Sequence, residues 1–517
     1  MRGKIGFWEV FSIGVGGMIG GGIFAVLGLS VQLSKAGAPL AFAIAGVVAL
    51  TTAYSYAKLS VRYPSRGGTV EYLVRAYGTG VISGGLNILL LLSYVVMISL
   101  YAYAFGSYGE VLLGINRQIL FLAVISIFTI VNALGAIVSG KTEEMLVAFK
   151  LAILLAVCFV GFLYVKPSRF SFENWSDPVS LIAGGMVIFL AYEGFELIAN
   201  AGEDVENPKI LPKAFYASVL IVIAVYVGIA IVTVGTLSFE EIMKARDYAL
   251  AMVAKPILGN AGFILVSLSA LASTSSAINA TLYGTARISY MVAKYGQIPE
   301  VVERRIWREC YEGLIVVSLL SVILTTFSNL ESISVSGSGG FLIVFLAINL
   351  AVLKLRKSLK VKLVVPALGV ILTATSLVIL ILRMNFGNLI VFLAIVLASF
   401  LAEVAYRLVS GRRISDFVSD RLRKREESIR SWREWVGDVT KLLKEEWKCD
   451  VYLAGSIARG EIEKSNDVDI VVVLDEIPKR EEIEDFKRRL KEIYPHHPID
   501  LHFVRRKDFV REEHVII

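Results

Sequence analysis

Ile13-Gly14-Val15-Gly16-Gly17-Met18-Ile19-Gly20-Gly21-Gly22-Ile23-Phe24 sets six glycines inside an apolar run. Each glycine costs a helix about 1 kcal/mol against alanine, so a segment that keeps six must use them. Two uses fit. Small residues let helices pack closely in a bilayer. Alternatively the stretch unwinds and turns free N–H groups toward a polar solute, which non-helical backbone does at that depth only where it lines a cavity. A dinucleotide-binding loop fits poorly, because no strand precedes the glycines. The apolar run continues to about residue 33 and has no small-residue cleavage site, so it reads as a span and not as a removable signal.

Outward from this run the same composition persists. The 517 residues are 56% apolar with a mean hydropathy of +0.68, which marks an integral membrane protein. Twelve apolar runs reach membrane-spanning length, near 7–33, 38–60, 80–113, 118–138, 142–165, 178–201, 213–237, 260–293, 313–330, 333–353, 363–382 and 387–409. With the N-terminus inside, cytoplasmic segments carry 18 Lys and Arg against 8 outside. That bias predicts cytoplasmic N- and C-termini in a multi-pass protein of the cell (inner) membrane. The net charge of +7 divides into +8 on residues 1–410 and −1 on residues 411–517. A basic membrane part suits attraction to anionic lipid, so neither DNA nor RNA binding is expected. Cys158, Cys310 and Cys449 are odd in number and far apart, without disulfide or zinc spacing. All four histidines lie beyond residue 495, so no membrane histidine is available as a proton relay.

Two further anomalies lie within the spans. Phe189-Leu190-Ala191-Tyr192-Glu193-Gly194-Phe195-Glu196 interrupts the sixth with two acids and a glycine, although a charge at mid-bilayer costs at least ~2.5 kcal/mol. Interrupted helices at matching places in two halves point to a transporter site with inverted repeats. Lys150 lies about eight residues into the fifth span, roughly 12 Å deep at ~1.5 Å per residue. Either its ammonium snorkels to the interface, or it is held between helices where burial favours the neutral amine and lets it exchange a proton during transport. Arg287, near the end of the eighth span, reads as an interface anchor.

The chain resembles the amino acid–polyamine–cation transporter superfamily over about residues 5–410. The resemblance rests on Ile13–Phe24, on Tyr192–Glu196 with Ala201-Gly202-Glu203-Asp204-Val205-Glu206-Asn207-Pro208 and Leu211-Pro212, and on Ser275–Ala280 with Ala286–Tyr290. It implies an all-α, leucine-transporter-like fold, with twelve transmembrane helices, a five-plus-five inverted repeat and alternating access. It further implies that the N–H groups of Gly20, Gly21 and Gly22 cradle the carboxylate of an amino-acid substrate. The carbonyls of Met18, Leu190, Ala191 and Glu193 would then receive its ammonium. Lys150 matches the lysine of members that resemble proton-coupled carriers. Gly21 departs from the Ser, Thr or Ala of many relatives, which removes a hydroxyl contact. Glu193 replaces a usual apolar residue, and its carboxylate either favours a cationic substrate side chain or titrates. Glu196 fits the family's acidic position.

Beyond residue 410 the pattern changes. Residues 411–424 read as a basic linker and 425–517 as a small cytosolic α/β domain, with strands at Val451–Ala454, Val468–Leu474 and Ile499–Val504 and a charged helix at 479–493. Gly455-Ser456-Ile457-Ala458-Arg459-Gly460 follows the first strand and offers backbone N–H groups to phosphate oxygens. Asp467 and Asp469 alternate and share a face, and Asp500 lies on a neighbouring strand. Carboxylates so placed suit Mg²⁺ and a two-metal displacement. The spacing resembles the minimal nucleotidyltransferases of the DNA polymerase β superfamily. That resemblance implies transfer of a nucleoside monophosphate from a triphosphate, with Arg459 on the phosphates and a protein, or this chain itself, as acceptor. Two functions are then open: a transporter with a regulatory or partner-modifying enzyme attached, or a membrane-anchored nucleotidyltransferase whose helices sense amino acids.

Overall fold

The computed structural model describes residues 5–65, 67–134, 140–205, 207–298, 305–307, 310–409, 428–429, 431–458, 468–478, 480–494, 497, 499–509 and 515–516, without the side chains of 140–143, 286, 287, 290, 294, 305–312, 456, 480, 481, 491, 508, 515 and 516. The chain divides into two compact units, Met1–Ser415 and Asp416–Ile517.

The first unit is helical: α1 (Phe7–Met18), α2 (Gly22–Ser34), α3 (Ala38–Arg62), α4 (Thr69–Tyr77), α5 (Val81–Leu113), α6 (Arg117–Ala133), α7 (Gly140–Gly161), α8 (Pro178–Tyr192), α9 (Ile210–Thr236), α10 (Phe239–Lys244), α11 (Ala249–Lys294), α12 (Glu312–Phe327), α13 (Leu330–Lys354), α14 (Arg356–Leu359), α15 (Val364–Arg383) and α16 (Phe386–Val409). Strands β1 (Arg305–Trp307) and β2 (Cys310–Tyr311) pair antiparallel between α11 and α12. Local chemistry starts several helices. Asp177 accepts from the N–H groups of Val179 and Ser180 ahead of Pro178 in α8, the side chain of Asn116 caps α6, and Ser238 and Glu241 form a reciprocal cap on α10.

Among the described residues, nine helices are long and apolar enough to cross a bilayer, and the bent pair α1–α2 makes a tenth crossing. The apolar helices Arg117–Ala133 and Gly313–Phe327 are shorter. At ~1.5 Å per residue, 17 residues reach roughly 25 Å of a ~30 Å core. The eighth apolar run, expected from residue 260, is the second part of the longer α11. Pro256 and the left-handed Gly259 (φ +65°) kink α11 just before it. The core centres on packed rings: Phe195 and Phe345 lie 5.3 Å apart, with Tyr56 5.6 and 5.7 Å from them.

The second unit holds α17 (Trp432–Glu446), β3 (Asp450–Leu453), the single turn α18 (Gly455–Ala458), β4 (Val468–Leu474), α19 (Arg480–Ile493), β5 (Ile499–Arg505) and β6 (Val515–Ile516). The sheet order is β5-β4-β3-β6, with β4 parallel to β5 and antiparallel to β3. Its core packs Val436, Val439 and Leu443 of α17 with Val451, Leu453, Ile470, Val472, Phe486 and Leu490.

Candidate functional site

The glycine run breaks the first span. The Ile19 N–H still closes on the Val15 carbonyl (2.7 Å), and the next helical bond runs from the Ala25 N–H to the Gly21 carbonyl (2.9 Å). Between them α1 ends, and α2 leaves at 43°. The first N–H groups of α2 have no partner within their own helix and carry its positive dipole end. The sixth span is also interrupted, although it does not uncoil. From Glu193 to Ala201 it tightens into a 3₁₀ helix. Such a helix closes on the third residue, not the fourth, which releases carbonyls at the transition while keeping the chain wound.

The two interruptions meet through their glycines. A Cβ on Gly194 would lie 2.2 Å from the Gly17 carbonyl carbon, and one on Gly22 would lie 2.7 Å from the Ala191 Cα. Tyr226 of α9 donates to the Met18 carbonyl (2.6 Å) and lies 3.4 Å from that of Ala191. One phenol thus spans both interrupted helices and touches two carbonyls that the sequence reading assigned to substrate. Gly20 lies against Ala277, and Gly21 against Tyr101 and Thr274.

The acids differ in their surroundings. Glu196 accepts from Tyr56 (3.0 Å), Thr69 (2.8 Å) and Tyr94. Glu193 is 4% exposed, and its Oε2 has no hydrogen-bond partner among the described residues. Lys150 is 1% exposed on α7, which packs against α1, α9 and α11. Sequence reading missed Tyr56, Tyr94, Tyr101 and Tyr226. The available signal was tyrosine deep within apolar runs, away from the interfacial belts where it ordinarily concentrates.

In the tail, the parallel register sets Asp469 beside Asp500 and Val471 beside His502. Asp500 and His502 alternate onto one face. His502 Nε2 lies 3.2 Å from Asp469 Oδ1 and 3.5 Å from Asp500 Oδ2. The hydrogen bond to Asp469, and then the two carboxylate charges, raise the His502 pKa above its ordinary value against some desolvation. The backbone of Gly455 is left-handed (φ +67°), and a Cβ there would lie 2.0 Å from Asp469 Oδ2. Only glycine satisfies both conditions, so the turn after β3 is pressed onto the acidic face of β4. The donor atoms of Asp469, Asp500 and His502 lie within 4.8 Å of one another, close enough to hold a metal ion. Asp467 and Arg459 lie outside the described residues, as does the side chain of Ser456. His502 was not singled out from the sequence, although the alternation Asp500-Leu501-His502 contains the signal.

Residues 5–408 match the family model described as amino acid permease. The chain belongs to that family. Residues 437–516 of this permease match a nucleotidyltransferase domain. The permease is 39% identical over 355 residues to an uncharacterized protein of Methanocaldococcus jannaschii, covering 67% of this chain and 82% of that one. It is 34% identical over 372 residues to the inner membrane transport protein YbaT of Escherichia coli, covering 71% and 86%. Its fold is similar to that of a manganese transporter variant from Eremococcus coleocola, with a TM-score of 0.55 at 11% identity, covering 81% of this chain and 98% of that one. The departure at Gly21 has a steric reason in this permease. A Cβ there would lie 2.3 Å from the Tyr101 ring, so the tyrosine fills the space that a larger residue would need.

Proposed function

We propose that this permease is a proton-coupled secondary active amino-acid transporter of the cell membrane, with a cytosolic nucleotidyltransferase domain that regulates transport or modifies a partner. On this reading the chain crosses the bilayer twelve times, with a five-plus-five inverted repeat and both termini cytoplasmic; 1–410 is the transporter, 411–424 the linker and 425–517 the enzyme domain. The contact of Gly17 with Gly194 carries the reading, because it brings both interrupted spans to one place. A zwitterion needs donors for its carboxylate and acceptors for its ammonium. The N–H groups of Gly20, Gly21 and Gly22 stand at the positive end of α2 and hold the carboxylate. The carbonyls of Met18, Leu190, Ala191 and Glu193 hold the ammonium. Lys150, buried on a helix that packs against α1, gains and loses the coupled proton.

In the tail, Asp467, Asp469 and Asp500 would hold Mg²⁺, and Gly455, Ser456 and Arg459 the phosphates of a nucleoside triphosphate. The donor set fits, because acidic oxygens converge on one face and the Gly455 turn closes against them. The ion, when bound, supplies charge neutralisation for the phosphates. Asp500 activates the attacking hydroxyl of a protein acceptor or of this chain.

Proteoliposome uptake tests the transport reading. Labelled amino acid accumulates under an imposed pH gradient, and Lys150→Ala abolishes the gradient dependence. Binding without flux would make the membrane part a sensor instead, and unchanged gradient-driven uptake by Lys150→Ala would remove the coupling assignment. Incubation of the chain with labelled ATP, Mg²⁺ and lysate tests the tail. Label transfer that survives Asp467→Ala with Asp469→Ala would overturn the enzymatic reading.

A further inference from the structure

We infer that His502 is a nitrogen ligand of the metal in the tail, so that this centre prefers a transition ion of the Mn²⁺ to Zn²⁺ series over Mg²⁺. The inference rests on the nucleotidyltransferase reading and extends it to the identity of the ion.

The geometry comes from the sheet. β4 and β5 run parallel with Asp469 opposite Asp500, so both carboxylates and the imidazole two residues further along β5 rise from one face. The Nε2 of His502 is 3.2 Å from one carboxylate oxygen and 3.5 Å from the other. Donor atoms bound at about 2.1 Å around an ion lie about 3.0 Å apart at right angles and about 3.4 Å apart at tetrahedral angles. The two separations from the imidazole nitrogen match edges of such a coordination polyhedron, and all three donor atoms lie within 4.8 Å of one another.

A second observation separates the two oxygens of Asp469. Asp469 Oδ2 is backed by the Gly455 turn so closely that a Cβ would lie 2.0 Å away. It is Asp469 Oδ1 that meets His502. The side chains of Asp500 and His502 are about half exposed, so an ion has access from solvent. An all-oxygen set suits Mg²⁺, whereas imidazole nitrogen shifts affinity toward later divalent ions. His497, another tail histidine, is committed elsewhere, with its ring 4.8 Å from that of Trp435.

The test uses the full chain in nanodiscs, stripped with chelator and titrated with Mn²⁺. Continuous-wave electron paramagnetic resonance reads free Mn²⁺, pulsed spectra read ¹⁴N coupling to the bound ion, and Mg²⁺ is titrated in competition. The expected result is one tight Mn²⁺ with imidazole coupling. His502→Asn, a polar replacement at a half-exposed strand position, removes that coupling and weakens Mn²⁺ at least tenfold while changing Mg²⁺ affinity less than threefold. Circular dichroism confirms that the variant folds. Coupling that persists in His502→Asn overturns the inference. So does its absence from the wild type when Asp469→Asn still abolishes Mn²⁺ binding, since the ion then rests on carboxylates alone and the enzymatic reading stands. Mn²⁺ binding that survives Asp469→Asn with Asp500→Asn overturns the metal centre itself, and the inference with it.

Discussion

Replacing Gly194 by alanine tests whether the two interrupted spans form one site. The added Cβ would lie 2.2 Å from the Gly17 carbonyl carbon, where ordinary contact begins at 3.4 Å. One backbone must therefore yield by about 1.2 Å, and overpacking of this kind costs about 1–3 kcal/mol. The effect on binding follows from the same displacement. An N–H···O bond of about 2.9 Å opened by 1.2 Å reaches about 4.1 Å and is no longer a hydrogen bond. Losing one bond to a charged group costs about 1.5–3 kcal/mol, or roughly ten- to 150-fold in affinity. Gly194→Ala should thus lower the melting temperature in detergent and raise the KM for amino-acid uptake in proteoliposomes by that factor. Gly284→Ala is the control, because no described atom lies within 4 Å of a Cβ at that position. Helix propensity alone acts there and favours alanine by up to ~1 kcal/mol. Wild-type KM and melting in Gly194→Ala, or equal damage from Gly284→Ala, would refute the reasoning.

Tyr226→Phe leaves the Met18 carbonyl without the hydroxyl that now lies 2.6 Å away; the expected loss is about 1–3 kcal/mol of stability, and differential scanning fluorimetry in detergent reads it. Glu403 and Arg407 pair at 2.6 Å with side chains 0% and 3% exposed. Arg407→Leu breaks this buried pair and also removes the hydrogen bond from the guanidinium to the Thr79 carbonyl, and should cost about 3–5 kcal/mol. Adding Glu403→Leu should recover much of that loss, and additive costs in the double-mutant cycle would show that the pair is not coupled.

The apolar runs near 38–60, 80–113, 178–201 and 387–409 return as helical segments within a few residues of those limits, because hydrophobic length is a local property that the bilayer fixes. The break at Ile19 to Gly21 was legible for a similar reason: glycine's cost in a helix is paid residue by residue. The manner of the second interruption was not legible. Two acids and a glycine announce that an α-helix is disfavoured, yet they do not say whether the chain uncoils or tightens, and packing against Gly17 decides that. Tyr226 was hidden for another reason, since its partner carbonyl is 208 residues away in sequence. The tail was more transparent. Short strand-like runs at 451–454, 468–474 and 499–504 return as strands within a residue, while the contact of His502 with Asp469 depends on the parallel register, which spacing does not specify.

The 3₁₀ winding also settles how the two acids of the sixth span relate. In such a helix residues three apart eclipse, so Glu193 and Glu196 project from one face. Their burial is met unequally. Glu196 Oε2 takes hydroxyls from Tyr56 and Thr69, and Oε1 takes one from Tyr94, whereas Glu193 Oε2 takes none among the described residues. On the proposed transport reading, the donor-satisfied carboxylate is scaffold and the one with an unpartnered oxygen serves the solute. Substitution by glutamine separates the two. In Glu196→Gln the amide nitrogen accepts nothing, so at least one hydroxyl loses its acceptor, at about 1–3 kcal/mol. Tyr56 and Thr69, 2.9 Å apart, can turn to each other, which holds the cost toward the lower end. Glu193→Gln is nearly isosteric and removes no hydrogen bond from its Oε2. Its melting temperature should equal or exceed that of the wild type while uptake changes. If Glu193→Gln destabilises the protein as much as Glu196→Gln does, Glu193 belongs to the scaffold and its open oxygen does not face substrate.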